Sequence, residues 1–202
     1  MKIGIYGAGD FCQQADRTIP YIGVDGGIRS LQRLGITPAY IIGDFDSYDA
    51  SAISKNIASI HLPCHKDYTD TEVAIMEAEK MGYDEIELYG VTGGRLDHFF
   101  AIARQLVKYR HLHITVHNDQ NILYLLGSGK HCISKKNYTY LSFFAIQPST
   151  ISICHVAYPL DHYHLAYEDA LCVSNEIIGC EAEAEIDGLV FCLQSNNREA
   201  GK

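Results

Sequence analysis

An α/β domain over residues 1–118 followed by an all-β domain over 119–202 is the fold this sequence predicts. Three observations carry that prediction. Short apolar runs in the first half end in glycine or aspartate and alternate with stretches of helical period; near Asp119 they give way to short period-2 segments; and no low-complexity linker or repeat intervenes.

Within the first half, Lys2 to Tyr6 read as a strand that stops at Gly7-Ala8-Gly9-Asp10. This is a weak dinucleotide fingerprint, because Cys12 stands at the third glycine's place, but a glycine turn at a ligand edge fits it. Tyr21 to Val24 make a second strand ending in Asp25-Gly26-Gly27, and Ile28, Leu31 and Leu34 mark a short helix that stops at Gly35. Tyr40 to Ile42 form a third strand, ending in Gly43-Asp44-Phe45-Asp46-Ser47. A helix-compatible segment follows over 49–58, then a strand over 60–63. Asp67 and Asp70 flank the start of a helix carrying Ala74, Ala78 and Met81 on one face, with Gly82 as its stop; Asp70 can be its cap and also face a ligand. Glu85 to Val91 form the next strand, which runs into Thr92-Gly93-Gly94-Arg95-Leu96-Asp97-His98. Leu96, Phe99, Phe100, Ala103, Leu106 and Val107 then mark the apolar stripe of a helix reaching Tyr109. Such alternation predicts a Rossmann-like parallel sheet with helices.

The second half shows period-2 segments over 138–146, 150–156, 162–167, 171–176, 181–186 and 189–194, with Asp187-Gly188 as the signal of a tight hairpin. A sandwich with a loose tail over 195–202 is expected. Gly127-Ser128-Gly129-Lys130 is no Walker loop, since Tyr124 and His131 occupy its first glycine and its hydroxyl position.

Composition narrows the function. A chain that is 47% hydrophobic and 20% charged is an ordinary folded protein, and no apolar run approaches the roughly 20 residues of a membrane span. The first residues lack a signal segment, so a cytoplasmic location is expected. A net charge of −9 with no basic run argues against a nucleic-acid partner. Seven cysteines without CxxC spacing read as reduced thiols in a core, and the spacing assigns them no redox or zinc role.

Four polar elements thus fall at strand or helix ends along one predicted edge: Asp25-Gly26-Gly27, Gly43 to Ser47, Asp67 to Asp70, and Thr92 to His98. Open α/β sheets bind ligands at that edge. The paired carboxylates Asp44 and Asp46 repel each other unless a cation lies between them, and hard oxygen donors suit Mg²⁺. Gly93 and Gly94 before a helix N-terminus let N–H groups approach phosphate, and Arg95 adds a forked donor. Together these residues describe a site for Mg²⁺ and a nucleotide polyphosphate.

The same motifs resemble the thiamine pyrophosphokinase family: DGG with a short helix ending Gly35-Ile36-Thr37-Pro38, then GDFDS, D-x-T-D with Thr69 before Asp70, GGRLDH, and Val173-Ser174-Asn175-Glu176 in the β region. Cys172 departs from the glycine expected before the SN element, and Ile177 from a frequent aromatic. The resemblance implies ATP as co-substrate, thiamine as acceptor, and a homodimer holding thiamine between subunits. It implies pyrophosphoryl transfer to the hydroxyethyl oxygen of thiamine, giving thiamine diphosphate and AMP. On these residues it implies Mg²⁺ on Asp44, Asp46 and Asp70, nucleotide contacts from Asp25, Gly26, Gly27, Ser47, Thr69, Gly93, Gly94 and Arg95, and thiamine contacts from Ser174, Asn175 and Glu176. Asp67 and Asp97 complete the catalytic set; Asp70 or Asp97 would accept the alcohol proton, and His98 would orient by hydrogen bonding. Two other readings stand beside it: a haloacid-dehalogenase-type phosphatase, which shares the DxD but has Thr or Val where Tyr48 stands, and a binding sensor without turnover.

Overall fold

The computed structural model describes residues 1–43, 58–60 and 68–197, which fall into two compact units, Met1–Asp119 and Gln120–Lys202. The chain has a mixed α/β fold. Among the described residues no helix is long and apolar enough to cross a membrane.

In the first unit, β1 (Lys2–Tyr6), β2 (Tyr21–Val24), β3 (Tyr40–Ile42), β4 (Ala58–Ile60), β5 (Glu85–Tyr89) and β6 (His113–His117) pair in the order β6-β5-β1-β2-β3-β4, every pair parallel. Parallel strands covered on both faces lack polar alternation, and β2 is buried at every position. Helix α1 (Gly27–Arg33) is followed by Gly35 at φ 73°, and α2 (Asp70–Lys80) by Gly82 at φ 85°. A left-handed residue ends each helix without a Cβ clash.

Helix α3 (Leu96–Lys108) turns a different face inward from the stripe expected of it. Ile102, Gln105 and Leu106 are buried, whereas Leu96 is 73% and Phe100 64% exposed. Gln105 is the reason sequence misjudged the face: its Nε2 donates to Thr69 Oγ1 at 2.9 Å, so a polar side chain holds the inward position. Across the strand ends, Tyr6 stacks on Tyr89 with centroids 5.9 Å apart, and Tyr89 on His117 at 5.0 Å. The Tyr6 hydroxyl also accepts from Cys12 N at 2.7 Å, folding the loop after β1 back on its strand.

The second unit contains β7 (Asn121–Ser134), β8 (Tyr140–Ala145), β9 (Ser149–Cys154), β10 (Leu160–Leu165) and β11 (Glu181–Ser195). Strand β11 is its axis, pairing antiparallel with β7 along its length, with β9 through its first half and with β8 through its second. The inward residues Ala182, Ala184, Ile186, Val190 and Cys192 pack with Phe143, Ile151 and Ile153.

Several expectations are corrected here. Asp187-Gly188 does not join two strands; it is a bulge inside β11, with the register shifting between Ile186 and Leu189. The bulge persists because hydroxyls satisfy its freed backbone: Gly188 N donates to Ser128 Oγ at 2.9 Å and Leu189 N to Ser149 Oγ at 3.2 Å. Residues 171–176 form turns rather than a strand, since Ser174 at φ 61° interrupts extension and a single bridge joins Asn175 to Leu141. Of the tail expected to be loose, Asn196 is tied down, its Oδ1 accepting from Thr139 N at 2.8 Å, and residues 198–202 lie outside the described residues. Cysteines also divide: Cys12, Cys172 and Cys192 are buried, whereas Cys132, Cys154 and Cys180 are exposed. Burial pushes the Cys12 and Cys192 thiols up to about 12 and the Cys172 thiol to about 11, so all three stay protonated and inert.

Candidate active site

Along the C-terminal ends of β1, β2 and β5 lies a cleft of about 820 Å³. Its walls come from the loop after β1 (Gly7 to Asp10), the end of β2 (Val24, Asp25), the start of α2 (Tyr68 to Thr71) and the stretch from Gly90 to His98 that enters α3, apart from Leu96. Backbone bonds fix the first loop against the last: Gly7 N donates to Tyr89 O at 2.8 Å, Gly9 N to Gly90 O at 2.6 Å, and Asp10 N to Thr92 O at 2.8 Å. Gly93 sits at φ 88°, and a Cβ there would lie 2.1 Å from the Asp10 carboxylate, so glycine is required both for conformation and for room.

Of the expected nucleotide and catalytic residues, Asp25, Thr69, Asp70, Gly93, Gly94, Arg95, Asp97 and His98 all line this cleft. Asp44, Asp46, Ser47 and Asp67 lie outside the described residues. Asp25 adopts φ 48°, donates its N–H to Ile42 O at 3.0 Å, and sets its carboxylate against Gly43, the residue before Asp44. Gly26 and Gly27 open α1 without lining the cleft; Gly27 instead lets the helix start rest on the Tyr6 carbonyl.

The cap of α2 is Thr69, not Asp70. Thr69 Oγ1 accepts from Glu72 N at 3.2 Å while also accepting from Gln105, so one hydroxyl caps α2 and ties its start to the last turn of α3. Asp70 is then the first helical residue, with its carboxylate at the positive end of the helix dipole. Among the described residues Gln105 Oε1 is the one buried side-chain oxygen or nitrogen without a partner.

At the start of α3, Arg95 and Asp97 form a fork-to-fork pair, Nε to Oδ1 at 3.0 Å and Nη2 to Oδ2 at 2.5 Å, and His98 N donates to Asp97 Oδ1 at 3.0 Å. The Arg95 hydrogen bonds hold the Asp97 carboxyl below its ordinary value, and Asp97 raises Arg95 in turn. Both side chains are solvent-exposed, which leaves the guanidinium accessible to an anion.

Ser174 and Glu176 are exposed in the second unit, while Asn175 is buried. The Asn175 amide is engaged at both ends: Nδ2 donates to Tyr158 O at 2.8 Å, and Oδ1 accepts from Tyr158 N at 3.0 Å and Glu176 N at 2.9 Å. It clips its loop rather than presenting free polar atoms. Sequence reasoning passed over Asp10, whose signal was the GxGD at the end of β1, set aside because its third glycine is missing.

The family model "Thiamin pyrophosphokinase, catalytic domain" matches residues 11–117, and "Thiamin pyrophosphokinase, vitamin B1 binding domain" matches 130–189. A thiamine pyrophosphokinase of Bacillus subtilis (strain 168) is 33% identical over 178 residues, covering 84% of this chain and 83% of that protein. The crystal structure of a Bacillus subtilis thiamine pyrophosphokinase superposes with a TM-score of 0.88 at 27% identity, covering 98% of this chain and 100% of that one. One from Geobacillus thermodenitrificans superposes at 0.86 and 28%, with both chains fully covered. With both family models matched in chain order, the chain belongs to the thiamine pyrophosphokinase family.

Proposed function

We infer that this chain transfers the pyrophosphoryl group of ATP to the hydroxyethyl oxygen of thiamine, releasing thiamine diphosphate and AMP. The observation that carries this is the match of the catalytic model to the unit that holds the cleft and of the B1-binding model to the unit that holds the Ser174–Glu176 loop. Within that reading, the first unit is Rossmann-like and handles ATP, the second is a sandwich that receives thiamine, and two copies act as a cytoplasmic homodimer.

The cleft's chemistry fits Mg²⁺. Asp10, Asp25, Asp70 and Asp97 bring hard carboxylate oxygens to it, and the basic side chains among its described lining are Arg95 and His98. Asp70, together with Asp44 and Asp46, would hold the ion, which when bound draws charge from the polyphosphate.

The chain's own residues supply the rest. Arg95 and the amides opening α3 steady the oxygens of the transferred group. The thiamine hydroxyl oxygen bonds to the β-phosphorus of ATP, the bond from that phosphorus to the bridging oxygen breaks, and AMP departs with the electron pair. The alcohol proton passes to a carboxylate; Asp97 is weakened for that role while Arg95 holds it ionised. Gly94, with open space over its Cα, leaves room for phosphate at the cleft wall, and His98 orients by hydrogen bonding. On the acceptor side, Ser174 would bond the aminopyrimidine and Glu176 offset the thiazolium charge, with Asn175 holding both in place.

The test is incubation with ATP, Mg²⁺ and thiamine, followed by nucleotide analysis. AMP formed one for one with thiamine diphosphate is expected. Inorganic phosphate without thiamine diphosphate would mark a phosphatase, and unchanged ATP a sensor.

A further inference from the structure

The exposed cysteines include one that stands among other metal-ligand types. Cys154 closes β9 and pairs across the ladder with Glu183 of β11. Its Sγ lies 3.9 Å from Glu183 Oε2 and 4.0 Å from Nδ1 of His155. One ligand atom from each of the three falls within 4.8 Å of the others. We propose that Cys154, His155 and Glu183 form a cation site in the antiparallel unit for a borderline-soft divalent ion of the Zn²⁺ class, chemically separate from the oxygen-lined cleft.

The dimensions suit that ion. Bonds of about 2.3 Å to sulfur and about 2.0–2.1 Å to nitrogen or oxygen put tetrahedral ligand pairs roughly 3.3–3.6 Å apart. The two separations from sulfur are a few tenths of an ångström wider and the imidazole and carboxylate atoms lie within 4.8 Å, gaps that side-chain rotation closes, since all three residues are exposed. Charge also balances: thiolate and carboxylate neutralise the dication, the imidazole binds neutral, and the thiol proton leaves to solvent. A cleft of about 600 Å³ opens against Cys154 and Glu183, so water can take the fourth position. Sulfur and imidazole select against Mg²⁺, which prefers oxygen.

His155 is set in place before any ion arrives. Its backbone is left-handed, φ 59°, unusual for a residue other than glycine. Its carbonyl accepts from Ile178 N at 2.8 Å, and the next residue, buried Val156, bridges Ile177. The ion would therefore clip the end of β9 and its turn to β11. Sequence spacing hides the site because its ligands come from two strands, with no CxxC and no His pair.

The site is tested by titrating the metal-stripped full chain with Co²⁺ as a spectroscopic stand-in for Zn²⁺. One equivalent should give a thiolate-to-metal charge-transfer band and the visible bands of tetrahedral cobalt, removed by Zn²⁺ and untouched by excess Mg²⁺. Because the band requires sulfur, Co²⁺ in the carboxylate cleft would not produce it. Cys154→Ser should abolish the band. Glu183→Gln and His155→Asn, the latter chosen because Asn tolerates the left-handed backbone, should weaken Co²⁺ affinity tenfold or more. Cys180→Ser, which removes an exposed thiol outside the lining of that cleft, should bind as wild type, and circular dichroism of each metal-free variant checks its fold. Absence of the band in the wild-type chain, its survival in folded Cys154→Ser, or its loss in folded Cys180→Ser would overturn the proposal.

Discussion

The parallel and antiparallel units put their polar residues to use in opposite ways. In the parallel unit, strands of three to five residues stop at one edge, and the residues just past their ends become the cleft. In the antiparallel unit, β7 and β11 run for 14 and 15 residues, and the exposed Ser174 and Glu176 sit in turns beside β8 instead of at a shared edge. Short buried strands advertise their ends, because a run of apolar residues has to stop somewhere. Long strands with one wet face do not.

If that contrast is right, the parallel unit should tolerate least change where helix meets strand. Gly27→Ala would place a methyl 1.9 Å from the Tyr6 carbonyl oxygen and should cost about 3 kcal/mol or more by urea denaturation. Gly179→Ala, in the antiparallel unit at φ 86° with open space around it, should cost only about 1 kcal/mol from backbone strain. Equal losses would erase the difference.

Next in size is Asp70→Asn. If Asp70 holds Mg²⁺ as proposed, the substitution should lower kcat about a hundredfold, with little change in melting temperature. Turnover near the wild-type rate would take Asp70 out of the metal site.

Electrostatics in the parallel sheet give a third test. Burial acts to raise the Glu87 carboxyl, but hydrogen bonds from His117 and Lys2 outweigh it and bring it down to about 2. A carboxyl lowered on folding contributes stability above its unfolded value near 4.5, and that stability disappears as pH falls towards 2. Glu87→Gln should therefore cost on the order of 2 kcal/mol at pH 7 and flatten the acid limb of the stability curve. Parallel acid limbs in the two proteins would refute the assignment.

Arg95→Lys keeps the charge but loses the fork, so turnover should fall about tenfold. An unchanged rate would reduce Arg95 to a general positive charge. The smallest effect is expected from Ser174→Ala, a rise of a few-fold in the thiamine KM with the ATP KM unchanged, as loss of one exposed hydrogen bond predicts. Weakened ATP binding with normal thiamine KM would move Ser174 out of the acceptor site.

Much of the parallel unit was legible because its signals are local. The apolar runs at 2–6, 21–24 and 40–42 and the glycines at 35 and 82 mark strands and stops directly. The inward face of α3 was not, because Gln105 is buried through a bond to Thr69, 36 residues away. Asp187-Gly188 misled for a similar reason: the residues that turn a hairpin signal into a bulge are Ser128 and Ser149, distant in sequence. Strand β7 was missed because its burial pattern does not alternate cleanly. At the cleft, the motif from Thr92 to His98 was readable from glycine and charge, whereas Asp10 follows an incomplete fingerprint and was passed over.

Strand β11 also dictates a schedule for synthesis on the ribosome. It is the partner of β7, β8 and β9, yet it follows them all in the chain, and the ladder described among β7 to β10 is that between β9 and β10. The parallel unit can close as soon as β6 has emerged. The nascent antiparallel unit must instead wait while roughly 50 residues separating β7 from β11 are added, about 2–10 s at ordinary elongation rates. During that interval the edges of β7 and β8 lack the strand that pairs with both, which makes this half the one that chaperones would meet.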